Sequence, residues 1–341
     1  MPTVRLSDIC TLRQWKALPA EKFTQQGYPV YGANGIIGRY HSYNHEHPVI
    51  AITCRGDSCG TVTITQPQAY VTANAICVEE IREDILPLYL YYFIKSADLT
   101  PYISGAAQPQ ITQHNLGNLP VPLCSQARQQ YIIERLQKTE HILALRNRQL
   151  HTLQQLKESF FLQAINTAHG DEVFPRYKLG DIAHIQCGKK NVSAAEADGA
   201  YPFFSCAKTP RRINSYSFDG EYLILSGNID FKLTYYHGKF DAYQRTYIIE
   251  SRNPELLHLP YLHAFMQQYL PTLRRQAVGG VVKYVRRHML TDIQLPLPDA
   301  ATQRRIGRFS LRLMHLEHDI TTAIEQQNNM VNSMLQRFFA L

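Results

Sequence analysis

Pairs of adjacent cations are the residues of this sequence that point most directly to a ligand. Five such pairs occur, all in the second half of the chain: Lys189-Lys190, Arg211-Arg212, Arg274-Arg275, Arg286-Arg287 and Arg304-Arg305. A solvated surface would explain one or two of them, whereas five indicate a contact surface for a polyanion. The net charge of +7 favours the same kind of partner. The chemistry predicted first is therefore the binding of phosphate groups, as in nucleic acids.

Loop residues in both halves could add base recognition, because amide and guanidinium groups form paired hydrogen bonds with base edges. The candidates in the first half are Tyr31, Asn34, Arg39, Arg55, Asn74, Gln108, Gln110 and Gln113. Those in the second half are Lys189, Lys190, Lys208, Arg211, Arg212, Asn228, Lys232, Lys283, Arg286 and Arg287. Gln108 and Gln110 flank a proline and suit adenine N6 and N7. The alternative is that Asn34 is only a turn residue and the glutamines are only solvated.

Residues for catalysis do not form a recognisable pattern. His41, His45 and His47 with Cys54 and Cys59 could be imagined as a zinc site, but their spacing fits no common structural zinc pattern. The sequence has no Gly-x-Gly-x-x-Gly after a strand and no Walker loop. It also lacks the Asn-Pro-Pro-aromatic tetrapeptide of amino-methyltransferases and a convincing nuclease cluster. The chain alone is predicted to be non-catalytic, with no metal or cofactor of its own.

Composition predicts a soluble, folded chain of two or three domains. It has 341 residues, of which 45% are hydrophobic and 18% charged. The most apolar stretch, Ile85 to Ile94, is too short to span a bilayer, and the N-terminus has no signal-peptide pattern. Seven scattered cysteines suggest reduced thiols. We therefore expect a cytoplasmic protein without membrane contact.

Two long helices are predicted to position the candidate residues. Gln126 to Ile165 contains no Pro or Gly, and forty helical residues span roughly 60 Å. Its apolar residues follow steps of three and four or their multiples, which gives a seam of Ile132, Leu136, Leu143, Leu150, Leu153 and Phe160. Gln303 to Phe339 repeats the pattern with Ile306, Phe309, Leu313, Leu316, Ile320, Met330 and Met334. Such spacing favours an antiparallel coiled coil within the chain. The alternative is two core helices of one large domain.

An internal repeat connects the two halves. Leu6-Ser7-Asp8-Ile9 recurs as Leu179-Gly180-Asp181-Ile182, and Tyr28-Pro29 recurs as Tyr201-Pro202, each 173 positions later. Later pairs are 174 positions apart: Gly105 with Gly279, His114 with His288, Pro122 with Pro296 and Gln129 with Gln303. Each half is therefore predicted to be one globular domain followed by one long helix. The divisions are a first domain at 1–124, a first helix at 125–168, a second domain at 169–298 and a second helix at 299–341.

Strand-like segments alternate with shorter helical ones inside each predicted domain, so the class is α+β or α/β with coiled-coil helices. Pro48 to Thr53 and Thr61 to Thr65 are expected strands of the first domain, and Leu86 to Ile94 an expected helix. In the second domain, Leu259 to Arg275 is an expected helix that breaks near Pro271. An antiparallel pair of long helices would place one domain at each end of a rod. Such an object suits a ligand with two separated half-sites, which duplex DNA offers at about 34–36 Å per turn.

These motifs carry a family resemblance over essentially the whole chain. Tyr28 to Gly38, with the sequence Tyr-Pro-Val-Tyr-Gly-Ala-Asn-Gly-Ile-Ile-Gly, resembles the opening of a target recognition domain. So does Gly105 to Ile111, followed by Leu119 to Pro122 and the long helix that contains Gln129. Together, and in two copies, they resemble the DNA specificity subunit of type I restriction–modification enzymes. The second copy departs from the pattern at Phe203 to Lys208 and at Gly279 to Tyr284, so its half-site is expected to differ.

The resemblance implies two target recognition domains, each reading one half of a split sequence in double-stranded DNA. It implies a coiled coil that sets the spacing and docks two methyltransferase (modification) subunits, with restriction subunits added to the complex. S-adenosylmethionine, and ATP with Mg²⁺ for restriction, are then expected on the partner subunits. Three alternatives stay open: the specificity chain of a type II enzyme, a coiled-coil scaffold whose heads bind protein, and a stand-alone nuclease or methyltransferase.

Overall fold

The structure is a computed structural model, which describes residues 2–33, 35–105, 108–167, 174–207, 209–228, 231–280 and 282–339; of 166 and 167 it describes only the backbone. The chain divides into two compact units. Unit 1 comprises Met1–Arg146 and Ala323–Leu341, and unit 2 comprises Asn147–Thr322. Each unit thus contains one globular part and a segment of each long helix.

Unit 1 has eleven strands among its described residues. They are β1 (Thr3–Arg5), β2 (Thr11–Gln14), β3 (Tyr28–Gly32), β4 (Gly35–Tyr40), β5 (Ile50–Thr53), β6 (Val62–Ile64), β7 (Tyr70–Val71), β8 (Ala75–Glu79), β9 (Ile103–Ser104), β10 (Gln110–Ile111) and β11 (Pro120–Pro122). Its helices are α1 (Pro87–Ser96), α2 (Gln113–Gly117) and the first part of α3 (Gln126–Thr167), with 3-10 turns at Leu6–Asp8, Ala20–Lys22 and Thr100–Tyr102. The sheets have the orders β2-β8-β5-β6 and β4-β3-β7, and β1 pairs with β11.

Unit 2 repeats this plan with longer strands. They are β12 (Arg176–Lys178), β13 (Ala183–Cys187), β14 (Tyr201–Phe204), β15 (Arg211–Ile213), β16 (Phe218–Ser226), β17 (Leu233–Ala242), β18 (Thr246–Ser251) and β19 (Gln294–Pro296). Its helices are α4 (Leu179–Ile182), α5 (Leu259–Gln276), α6 (Arg287–Thr291) and the larger part of α7 (Ala300–Phe339), with a 3-10 turn at Val192–Ala194. The second part of α3 also belongs to unit 2, and the last part of α7 belongs to unit 1. One sheet has the order β13-β18-β16-β17-β14-β15, and β12 pairs with β19. The predicted mixed class with two globular parts and two long helices is confirmed.

The main core of each unit lies between a sheet and its helices. In unit 1, Ile52 of β5 and Phe93 of α1 are fully buried in one cluster with Ile132 and Leu136 of α3. In unit 2, Leu223 of β16 and Met266 of α5 form the corresponding cluster with Ile306 of α7. Burying one large aliphatic or aromatic side chain contributes about 1.5–3 kcal/mol. The start of each long helix is therefore held by the core of the globular part that precedes it.

Pro271 does not break α5, contrary to the sequence expectation. The helix continues to Gln276 with Pro271 inside it. Proline removes one backbone donor from a helix, which costs stability but does not require the helix to end. Leu270 and Leu273 on either side of Pro271 are buried in the core of unit 2, and this packing offsets the loss.

The two long helices pair in antiparallel fashion within each unit. In unit 1 the rings of Tyr131 and Phe338 are 6.2 Å apart, and the Thr139 hydroxyl lies 4.0 Å from the Met334 sulfur. In unit 2 Lys157 Nζ lies 2.5 Å from Glu317 Oε2, and the rings of Phe160 and Phe309 are 3.8 Å apart. In both units, contacts at higher residue numbers on α3 involve lower residue numbers on α7, as antiparallel helices require.

The predicted seam residues of α3 are all shielded from solvent, whereas two of those predicted on α7 are exposed. Ile132, Leu136, Leu143, Leu150, Leu153 and Phe160 are all buried or half-buried, as are Ile306, Phe309, Leu313, Ile320 and Met334 on α7. Leu316 and Met330 are instead 46% and 51% exposed. The seam passes through their half-buried neighbours Glu317 and Val331. A charged residue is tolerated there because the ammonium group of Lys157 pairs with the Glu317 carboxylate.

Among the residues that the structure describes, no helix combines the length and the apolar character needed to cross a membrane.

Candidate nucleic-acid interface

Three loops of unit 1 meet at Arg55, Asn74 and Gln110, which we call the first loop cluster. Cys54 N donates to Asn74 O at 2.9 Å, and Ile111 N donates to Cys54 O at 3.0 Å. Arg55 and Gln110 form an isolated antiparallel bridge. All three side chains are exposed. Backbone hydrogen bonds therefore hold the loops, and the guanidinium and amide groups remain available to a ligand.

Glycine shapes the edge of this cluster. Gly105 has φ +86°, and a Cβ atom there would clash with the carbonyl oxygen of Gln108. Only glycine adopts this left-handed conformation without strain. The turn leads the chain through Gln108 into β10, where Gln110 bridges to Arg55. The exposed Gln113 follows as the first residue of α2, after the N-cap Thr112, whose hydroxyl accepts from Asn115 N.

The equivalent loops of unit 2 meet at Asn228, Arg245 and Tyr284, the second loop cluster. Gly227 N donates to Arg245 O at 2.9 Å, Val285 N donates to Gly227 O at 2.8 Å, and Asn228 bridges to Tyr284. These residues line a cavity of about 460 Å³. Arg245 and Tyr284 are exposed, whereas Asn228 is 9% exposed. Unit 2 thus combines an open rim with a nearly buried amide.

Four of the predicted cations lie around this second loop cluster. The guanidinium of Arg286 lies 5.9 Å from the ring centre of Tyr284, and its hydrogen bond to the Tyr284 hydroxyl raises the pKa of Arg286. Burial raises the pKa of the Cys187 thiol in the cavity wall, and the charge of Arg287 opposes that rise. Gln244 N donates to Lys190 O at 3.0 Å, and Lys283 directly precedes Tyr284. Cations in such positions suit the phosphate groups of a nucleic acid.

Other predicted residues lie elsewhere or have structural contacts. Tyr31 is wrong as a contact residue: its ring is buried in a core cluster and its hydroxyl accepts from Gln66 N at 3.0 Å. Arg39 donates to Gly27 O at 2.8 Å, and Arg212 donates to Gly199 O and Ala200 O at 2.9 and 2.8 Å. Arg212 and the exposed Arg211 belong to β15, at the edge of the sheet.

The remaining candidates are exposed or lie outside the described residues. Lys189 is exposed next to Lys190, and the exposed Lys232 donates through its backbone to Ser226 Oγ at 2.7 Å. Asn34 and Lys208 lie outside the described residues.

Arg245 and Tyr284 are members of the second loop cluster that were not among the residues predicted from the sequence. Tyr284 follows Gln110 by 174 positions, so the repeat offset alone predicts its place. Arg245 follows Asn74 by only 171 positions, because the two copies differ in length between the flanking strands. Its location therefore required the hydrogen-bond pattern of the folded chain.

The histidines and cysteines considered for zinc are not gathered as a set. Within the part of the chain that the structure describes, His45 alone of this set lies with other possible metal ligands, Cys77 and Glu79, and the donor atoms of the three lie within 4.8 Å of one another. His45 Nε2 lies 3.0 Å from Glu79 Oε1, to which Trp15 Nε1 donates at 2.6 Å, and Arg13 pairs with Oε2 at 3.1 Å. These contacts occupy the carboxylate, and they anchor the loop of His45 to β8.

The fold and the two loop clusters define a chain with two equivalent polar loop surfaces, of which the second is the more basic. The chain belongs to the family described as type I restriction modification DNA specificity domain, which matches residues 1–155 and 173–327. The family predicted from the sequence is thereby confirmed.

Individual relatives agree with this membership. The chain is 34% identical over 161 residues to the EcoDI specificity subunit of Escherichia coli, a type I restriction enzyme. That alignment covers 47% of this chain and 35% of the relative. This chain is also 24% identical over 333 residues to a putative type I restriction enzyme specificity subunit of Haemophilus influenzae. That alignment covers 87% of this chain and 84% of the relative.

A solved structure shows the same fold. The type I restriction–modification S subunit of M. genitalium superposes with a TM-score of 0.78 at 14% identity, covering 99% of this chain and 95% of the other.

Proposed function

We propose that this chain is the DNA-reading subunit of a type I restriction–modification complex. Each unit recognises one half of a split target in duplex DNA through its loop cluster. The observation that carries this proposal is the pair of loop clusters, in which one backbone frame presents different amide and guanidinium side chains. Base edges are read by such groups, and the surrounding cations suit phosphate. Membership of the specificity-domain family supports the same role.

The chemistry of the complex is assigned to its partners. The chain acts as a non-catalytic targeting subunit in the cytoplasm, and its long helices dock two methyltransferase subunits, with restriction subunits completing the complex. S-adenosylmethionine, and ATP with Mg²⁺, bind those partners. The helices also set the distance between the half-sites. Exposed apolar residues on α3 and α7, including Leu156 and Leu162, support a docking role because contact with a partner would bury them.

Co-purification with a candidate methyltransferase encoded beside this chain tests the assignment. Methylome sequencing of cells with and without the chain then shows what it specifies. We expect a split motif, with two short half-sites and a fixed gap, that is lost on deletion of the chain. Unchanged methylation, or a chain that does not bind the methyltransferase, would contradict the proposal and favour a protein-binding scaffold.

An insertion tests the spacing role separately. Four residues inserted after Leu145 add roughly one helical turn, about 6 Å, to α3. We expect a longer gap between the same two half-sites. A motif with the original gap would show that the helices do not set the distance. Four residues inserted after Ala17, in an exposed loop of unit 1, provide a matched control that leaves α3 unchanged.

A further inference from the structure

The two loop clusters share one hydrogen-bond frame, which makes their side chains directly comparable. Cys54 and Gly227 occupy the same place in it: each donates its backbone N–H to the second loop and accepts, at its carbonyl, from the third. The next residue, Arg55 or Asn228, forms the bridge to Gln110 or Tyr284. Asn228 therefore occupies the position of Arg55. The frame fixes the backbone at this position, so the side chain can vary.

Asn228 differs from Arg55 in being nearly buried and incompletely bonded. It lines the cavity of the second loop cluster and is 9% exposed. Its Oδ1 atom is buried and has no hydrogen-bond partner among the described residues. Buried polar groups in folded proteins are almost always paired, so an unpaired amide oxygen needs an explanation. A ligand that brings a donor into the cavity would provide one.

The rest of the cavity suits a flat, polar ligand that is attached to phosphate. Tyr247 and Tyr284 contribute aromatic surface, and the Tyr247 hydroxyl is fixed by donating to Val285 O at 2.9 Å. Arg245 lies exposed at the rim, and Arg286 lies against the ring of Tyr284. Aromatic rings contact base faces, and arginines contact phosphates or base edges.

We propose that this cavity receives the edge of a single adenine and that Asn228 identifies it. An asparagine amide pairs with adenine by two hydrogen bonds: its oxygen accepts from the N6 amino group, and its nitrogen donates to N7. Guanine and thymine carry an acceptor in place of the amino group, so they would leave Oδ1 unpaired. This inference rests on the proposed function, and it assigns one base of the half-site read by unit 2.

Base analogues test the inference with the unsubstituted chain. The complex of this chain with its methyltransferase first selects its target from random duplex DNA. Each adenine of that target is then replaced in turn by 7-deazaadenine, which lacks N7, or by purine, which lacks the amino group. We expect either analogue to lower the affinity about tenfold at one particular adenine, which lies in the half-site read by unit 2. Uniform affinity across all replacements would overturn the proposal.

Substitution of Asn228 provides the matching half of a double-mutant cycle. In Asn228→Ser, the analogues at that adenine should cause no further loss, because the amide that reads them is gone. Asn253→Ser, an exposed asparagine of the same unit, should retain the full analogue effect. An undiminished analogue effect in Asn228→Ser would assign the adenine to another residue. Failure to select any split target would contradict the proposed function instead.

Discussion

The two loop clusters have the same backbone frame but differ in charge and depth. The first presents one cation and two neutral amides, all exposed. The second surrounds a cavity and lies beside Lys190, Lys283, Arg286 and Arg287. The repeat therefore conserves what holds the loops and varies what the loops present. Two half-sites of different sequence are the expected consequence, with stronger phosphate contact at the second.

The start of each long helix is also held in the same way in both copies, by the side-chain amide of one glutamine. Removing this amide should have the largest effect on stability. Gln129 Nε2 donates to Asp84 O and Cys124 O at 2.9 and 3.0 Å, and its Oε1 accepts from Leu86 N at 2.8 Å. Gln303 makes the same three bonds to Leu256 O, Pro298 O and His258 N. Both amides are buried. They join the long helix of each copy to the chain just before α1 or α5.

Removal of either amide should destabilise its own unit by similar amounts. Gln129→Ala and Gln303→Ala each lose three hydrogen bonds and leave buried backbone groups without partners, at a cost of about 3 kcal/mol or more. Urea denaturation, followed by hydrogen exchange assigned to each unit, measures the loss. Gln130→Ala, at an exposed neighbour, should change stability by less than about 0.5 kcal/mol. A large cost at only one glutamine would show that the frame is not shared.

Acid should destabilise unit 2 more than unit 1, because unit 2 has a half-buried histidine, His258, just before α5 and a buried one, His263, inside α5. His258 and His263 stand where unit 1 has Leu86 and Tyr91. Burial lowers the pKa of His263 to about 4 and also lowers that of His258. Below about pH 6.5 the unfolded chain binds protons that the folded unit does not, so stability falls as the pH falls towards 4. From His263 alone the loss is about 2 kcal/mol at pH 5.

Hydrogen exchange at pH 7 and pH 5 tests this difference once intrinsic rates are corrected. We expect unit 2 to lose protection and unit 1 to retain it. His263→Gln removes the titrating group and should reduce the pH dependence of unit 2. Equal loss of protection in both units would place the acid sensitivity elsewhere.

A smaller effect on stability is expected at the short strand between each globular part and its long helix, where one tyrosine hydroxyl bonds to the backbone in both copies. The Tyr89 hydroxyl donates to Pro122 O at 2.7 Å, and that of Tyr261 donates to Pro296 O. Tyr89→Phe and Tyr261→Phe should each cost about 1 kcal/mol, because one buried hydrogen bond is lost without a change of shape. Thermal denaturation measures both, with the exposed Tyr43→Phe as control. A cost no larger than that of the control, in either variant, would show that this hydrogen bond does not contribute to stability.

The charge difference predicts a smaller effect on salt dependence. Arg286→Gln with Arg287→Gln should reduce the slope of log affinity against log salt by about 2, if each arginine contacts one phosphate. Arg55→Gln should reduce it by about 1 at most. Fluorescence anisotropy with the selected duplex at several salt concentrations measures both slopes. Arg312→Gln, at an exposed arginine of unit 2 outside the cation pairs, serves as control. Equal slopes for the double variant and the control would exclude phosphate contacts by Arg286 and Arg287.

Much of the fold could be predicted because the repeat and the heptad spacing are properties of sequence order. The offset of 174 positions fits Tyr284 as the equivalent of Gln110, although Tyr284 was not among the predicted contacts, and the predicted seam residues of α3 are all buried or half-buried. The interface was harder to predict because exposure depends on tertiary packing. Tyr31 has the residue type of a contact residue, but it packs in the core. Leu316 is apolar but exposed, whereas its neighbour Glu317 is half-buried between the helices, where its carboxylate pairs with Lys157.

The central claim is that each unit reads its own half-site, and two matched arginine variants test it most directly. Arg55 and Arg245 are exposed members of the first and second loop clusters. Methylomes of cells that carry Arg55→Ala or Arg245→Ala, with the partner methyltransferase, report the motif that each variant specifies. We predict that each variant relaxes bases in one half-site only, and that the two variants affect opposite halves. Relaxation of the same half by both variants, or an unchanged motif in both, would contradict the claim.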